Sequence, residues 1–146
     1  MGLLSTALAN LAALTVSGAT SFALDETPGA LTRAQLPALI VVPELGGESA
    51  GLEPSGFSAG DGRLVVTVAH VLLLAPLTAG AGLRGALPAL AAAIDAYVEA
   101  LATNPTLDGA LAVPLRCAVR AGVVSFGGAD YHGAVFTHTW TLHVES

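Results

Sequence analysis

Four histidines and one cysteine are the residues whose types could do chemistry: His70, His132, His138, His143 and Cys117. His132 and His138 share a strand face but stand six residues apart, about 20 Å at 3.3 Å per residue. His143 falls on the opposite face. No three of them can readily share a metal, and no cysteine or carboxylate cluster stands close by. We therefore read them as structural histidines, with no metal site. Cys117 would be a nucleophile if His138 served as its base. Depending on loop length, a C-terminal hairpin sets Cys117 opposite Trp140 or His138. Its neighbours are apolar, which raises a thiol pKa and leaves it inert, so a core cysteine is expected. Gly80-Ala81-Gly82-Leu83-Arg84-Gly85 matches G-x-G-x-x-G at a helix start, a turn that could cradle a pyrophosphate. Against that reading, Pro76 to Ala79 separate it from the preceding strand. No second strand ending in Asp or Glu follows at the required distance. With no G-x-S-x-G and no paired acids, the sequence gives no catalytic residues and no cofactor.

The element that must organise these residues runs from Leu83 to Leu101. Leu83, Leu87, Leu90, Ile94, Tyr97 and Leu101 recur at steps of four and three, the one-face spacing of a helix. Asn104-Pro105 should stop it. Pro88 fits best in a first turn, which places the start near Gly85 to Leu87. A short helix over residues 3 to 15 precedes a polar connection, Asp25 to Gly29. Ala38 to Val42 reads as a short strand. Arg63 to Leu74 is a strand apolar on both faces, as buried strands are. Residues 115–126 and 131–144 form a hairpin around Gly127-Gly128-Ala129-Asp130. Its even-length loop puts Cys117, Val119, Ala121 and Val123 on one face with Ala134, Phe136, His138, Trp140 and Leu142. That face is expected to be core, with Trp140 and Phe136 beneath Leu90, Ile94 and Tyr97. Arg116 and Arg120 share the other, Thr-rich face. Gly46 to Gly62 reads as a long protruding loop, a kind often functional. The fold class is α+β: a mainly antiparallel sheet of two hairpins, with a crossover helix and a short N-terminal helix packed on one face. Residues 1–146 make one domain.

Composition narrows the function. Hydrophobic residues make up 53% and charged ones only 11%, too apolar for disorder and sparse for a free surface. Part of the surface should be covered by other subunits. Five Arg, no Lys and a net charge of −6 argue against gripping a duplex, which needs a basic patch. Residues 1–24 are uncharged but lack the basic opening of a signal peptide. Residues 64–83 read as strand and turn, with no membrane span.

The layout, with Ile94-Asp95-Ala96-Tyr97 and Phe126-Gly127-Gly128-Ala129-Asp130-Tyr131-His132-Gly133, resembles the tail terminator proteins of long-tailed phages and gene transfer particles. That resemblance implies a structural virion protein without catalytic residues. It would form a ring, a hexamer in that family, which caps the tail tube, ends its polymerisation and joins it to the head or neck. The implied partners are copies of itself, the tail tube protein and a head–neck connector, with DNA passing through without specific binding. The implied location is the virion tail or neck, after assembly in the host cytoplasm. A head-completion or neck protein is the nearest alternative, and a small nucleotide-binding enzyme a more distant one. We place the partner or ring interface at Glu48, Leu52, Glu53, Phe57 and Asp61 in the long loop, and at Arg63, Arg116 and Arg120.

Overall fold

A computed structural model describes residues 3–42, 51–58, 61–77 and 83–145. The order of elements is α1 (Leu3–Ala12), β1 (Thr20–Ser21), β2 (Ala38–Val42), β3 (Gly51–Ser58), β4 (Asp61–Pro76), α2 (Leu83–Thr103), β5 (Arg116–Phe126) and β6 (Ala129–Glu145). Two short 3-10 turns, Leu24–Glu26 and Arg33–Gln35, lie between β1 and β2. The strands form one six-stranded sheet in the order β1-β2-β4-β6-β5, with β3 also paired to β4. Only the β1–β2 contact is parallel. The protein is thus α+β on a largely antiparallel sheet.

Strand alternation divides the sheet's side chains between two faces. Both helices cover the first. Leu11 and Ala12 of α1 pack on Val41, Val66, Val68, Trp140 and Leu142. Leu90 and Tyr97 of α2 pack on Leu39, Leu72, Ala134 and Phe136. Phe136 lies where the helix stripe requires it, stacked on Tyr97 at 3.6 Å between centroids. Trp140 does not. It belongs under α1 and the turn bearing Leu107 and Leu111, because β6 runs on past the end of α2's footprint. Leu87 is also outside the core and half-exposed.

Three further expectations are corrected. Helix α2 starts at Leu83, so Pro88 lies inside it and deprives the carbonyl of residue 84 of its intrahelical donor. The described part of the segment 46–62 is not a structureless loop. Residues 51–58 form β3 and pair with β4, Leu52 opposite Val66 and Ser58 opposite Asp61; residues 43–50 lie outside the described part. The second face of the sheet is not polar throughout. Phe22, Leu31 and Leu36, from the segment between β1 and β2, cover Ile40, Val71, Leu73, Val124, Tyr131 and Val135. The Thr-rich part is confined to the other end of that face.

The β5–β6 turn is tighter than expected. Phe126 pairs with Ala129, leaving Gly127 and Gly128 at φ 60° and 82°. Positive φ at both central residues defines the type I′ turn that suits the sheet's twist. Helix α2 is long and apolar enough to cross a membrane over Gly85–Thr103, yet Leu90 and Tyr97 are sealed against the sheet.

Candidate functional site

Two kinds of site emerge: a buried polar triad under α2, and a pair of exposed sheet edges. The triad was not anticipated. His70 on β4 and His138 on β6 both face α2, and the hydroxyl of Tyr97 lies between them. The His70 Nδ1–Tyr97 Oη distance is 2.8 Å, and Tyr97 Oη–His138 Nε2 is 2.6 Å. All three side chains are fully buried. The hydroxyl has one proton, so it donates to one histidine and accepts from the other. Either way, His70 Nε2 and His138 Nδ1 find no protein partner among the described residues. The signal for this triad was present in the sequence: a tyrosine in a core-facing stripe needs a partner for its hydroxyl, and both histidines have core-face parity.

Burial penalises the charged imidazolium. It lowers His70 to about 3, with the nearby His138 adding to the effect, and lowers His138 to about 4. Tyr97 is pushed far up by burial and then by Cys117. All three are neutral near pH 7, so the cluster holds α2 to the sheet by neutral hydrogen bonds. Linkage fixes the sign of the pH effect. The unfolded histidines titrate near 6.5, so the unfolded state takes up protons first as pH falls. Stability is full above about pH 6.5 and is lost progressively toward pH 3–4. Urea midpoints measured across that window should fall steeply. His138→Gln, which keeps a donor and an acceptor but cannot titrate, should flatten part of the slope.

Cys117 pairs with His138 but is exposed, not core. The reason is that β5 is the edge strand and α2 does not reach over it. Partial shielding still pushes its thiol up to about 11, which leaves it protonated and a poor nucleophile. Among the described residues no three His, Cys, Asp or Glu side chains are placed to hold a metal. Of the glycine turn, residues 80–82 lie outside the described part, and Gly85 is a helical residue of α2.

The eight interface candidates do not form one patch. Glu48 lies outside the described residues. Leu52 is 57% exposed and Phe57 74%. The Phe57 ring lies over the bare backbone of Gly62, where a Cβ would be 2.8 Å from it. Glu53 stands opposite Val65, and Asp61 opposite both Ser58 and Glu145. Asp61 and Arg63 are exposed at the start of β4. Arg116 and Arg120 lie across the sheet on β5, opposite Thr139 and Val135, and are exposed. From β3 to β5 is three strand steps, roughly 14 Å. On the other face of β5, Val119 and Val123 are 44% and 62% exposed. They carry the parity expected of core but have no cover. No family model, curated protein or solved structure matches this chain.

Proposed function

We propose that this chain is a structural subunit of a long-tailed particle. It closes into a ring on the end of the tail tube, stops the tube's growth and joins it to the neck. The observation that supports this reading most is the unfinished margin of the sheet. Strand β5 is an eleven-residue edge with bare valines and no proline. Proteins normally pair, cover or blunt such an edge. The other margin exposes Leu52 and Phe57. A subunit with apolar side chains at two opposed margins is suited to touch two neighbours at once. A repeated contact of that kind closes into a ring when its rotation permits.

The electrostatics are consistent with this role. A lumen traversed by DNA should not grip phosphate, and the chain carries a net charge of −6. His70 and His138 are neutral and sealed from solvent, which suits a structural core. The tube protein and a neck connector would be the axial partners. The test is particle production without this chain. Tails of irregular length lacking heads are expected, with rescue when the chain is supplied. Tails of normal length joined to heads would overturn the proposal, as would a single copy lying off the tail axis.

A further inference from the structure

We propose that His70, Tyr97 and His138 form an acid-released latch, which frees α2 from the sheet while the part of the fold under α1 stays closed. The inference stands apart from the ring reading. It starts from the proton count of the triad. One hydroxyl serves two histidines, His70 Nδ1 at 2.8 Å and His138 Nε2 at 2.6 Å. It donates to one ring and accepts from the other. If it donates to His138 Nε2, that ring carries its proton on Nδ1, and His70 donates from its own Nδ1. If it donates to His70 Nδ1, that ring is protonated at Nε2, and so is His138. The two rings therefore share one tautomer in either arrangement. One outer nitrogen is then bare, and a first proton can settle there with both hydrogen bonds kept. A second must take the nitrogen that accepts from the hydroxyl. That leaves the hydroxyl proton without its acceptor. It also sets two cations in a buried site with ring centroids 6.5 Å apart, which is costly without a counter-charge.

Among the described residues no carboxylate supplies that counter-charge. On α2, Asp95 and Glu99 are exposed. Strand β4 brings Val68 and Leu72 to the same face, β6 brings Phe136 and Trp140, and β2 sets Val41 opposite His70. Helix α1 carries no ionisable side chain, the segment after it adds Leu14 and Val16, and Asp108 beyond α2 is exposed. His132 shares the β6 face but lies six residues from His138, about 20 Å away. Cys117, opposite His138, stays a neutral thiol. Release is local because of how the core is divided. Leu90, Ile94, Tyr97 and Leu101 of α2 all pack with Leu39, Leu72, Ala134 and Phe136. None of them belongs to the cluster around Trp140 or to that on the second face. Contiguous units of this kind can open separately from the rest of a fold.

The test follows two signals on the full chain as pH is lowered: amide exchange of residues 83–103, and the emission of Trp140, the chain's one tryptophan. The open form takes up two protons that the closed neutral form lacks. Protection factors along α2 should therefore fall about 100-fold per pH unit, in the window between 6.5 and about 4. Trp140 emission should keep its neutral-pH maximum after the α2 amides have lost protection. Loss of the two signals together would overturn the inference, as would protection that does not fall. H70Q/H138Q cannot titrate at the latch, so most of the slope should vanish in it; an unchanged slope in a variant with the wild-type Tm at neutral pH overturns the inference. If that variant does not fold, the ring nitrogen shifts of the wild-type histidines decide. Both rings should show the same tautomer at neutral pH, and the second should become charged only as α2 protection is lost. Opposite tautomers, or two charged rings beneath a protected α2, would sink the latch.

Discussion

Gly133→Ala should be among the most damaging single changes in this protein. Gly133 sits on β6 between Leu73 of β4 and Gly122 of β5, beside the irregularity between Leu73 and Ala75. A Cβ there would overlap the backbone carbonyl oxygen of Leu72. A side-chain neighbour could rotate away, but a carbonyl inside a paired strand cannot. Relief requires β4 and β6 to separate at the row that carries Leu72 and Ala134, under α2. The cost should exceed the roughly 1–3 kcal/mol of ordinary overpacking. Gly128 supplies the control. It has φ 82° but nothing within 4 Å of a built Cβ, so Gly128→Asn should be mild, since Asn tolerates the left-handed region. Urea unfolding of the two variants should separate by more than 1–2 kcal/mol, to order of magnitude. Equal losses would mean that the close approach at Gly133 does not set the cost.

Trp140→Ala is expected to cost about 3–5 kcal/mol, the range for removing a large buried aromatic. The size of the loss does not reveal which helix the indole supports, because both helices lie on the same face. Coupling does. The side chain shares a cluster with Leu11, Leu107 and Leu111, whereas Ile94 belongs to the neighbouring cluster around Tyr97 and Phe136. A double-mutant cycle of Trp140→Ala with Leu11→Ala should give an interaction energy of about 0.5–3 kcal/mol, and with Ile94→Val close to none. The reverse pattern would place Trp140 under α2.

These two residues mark what the sequence could and could not reveal. Parity along β6 was legible, because every second residue from Ala134 to Leu142 is apolar or histidine, and Trp140 was put on the correct face. Its position along that face was not, since periodicity says nothing about how far a helix extends over a strand. The same limit applies to β5. Cys117 and Val119 have core parity but lie beyond the cover of α2. Strand β3 was hidden for another reason. Gly51, Pro54 and Gly56 are poor strand formers, and pairing to the long β4 overrides that local preference. The cover over Val71 and Val135 was hidden too, because residues 22–36 have no regular period. The triad could have been foreseen only by asking where the Tyr97 hydroxyl and two core-parity histidines find partners. Arg63, Arg116 and Arg120 were singled out together as interface candidates. That Arg63 lies on a different strand, with β6 between it and the other two, needed the strand order.

Strand β6 contributes to every hydrophobic cluster described above. Trp140 and Leu142 serve the first, Ala134 and Phe136 the second, Tyr131 and Val135 the third. It also supplies the pairing partner for both β4 and β5. A chain emerging from the ribosome can set α1, α2 and β2 against β4, but it completes none of the three clusters until β6 is made. Until residues 129–145 follow, each cluster lacks its β6 side chains and keeps apolar surface uncovered, the kind of surface that makes incomplete chains prone to aggregate.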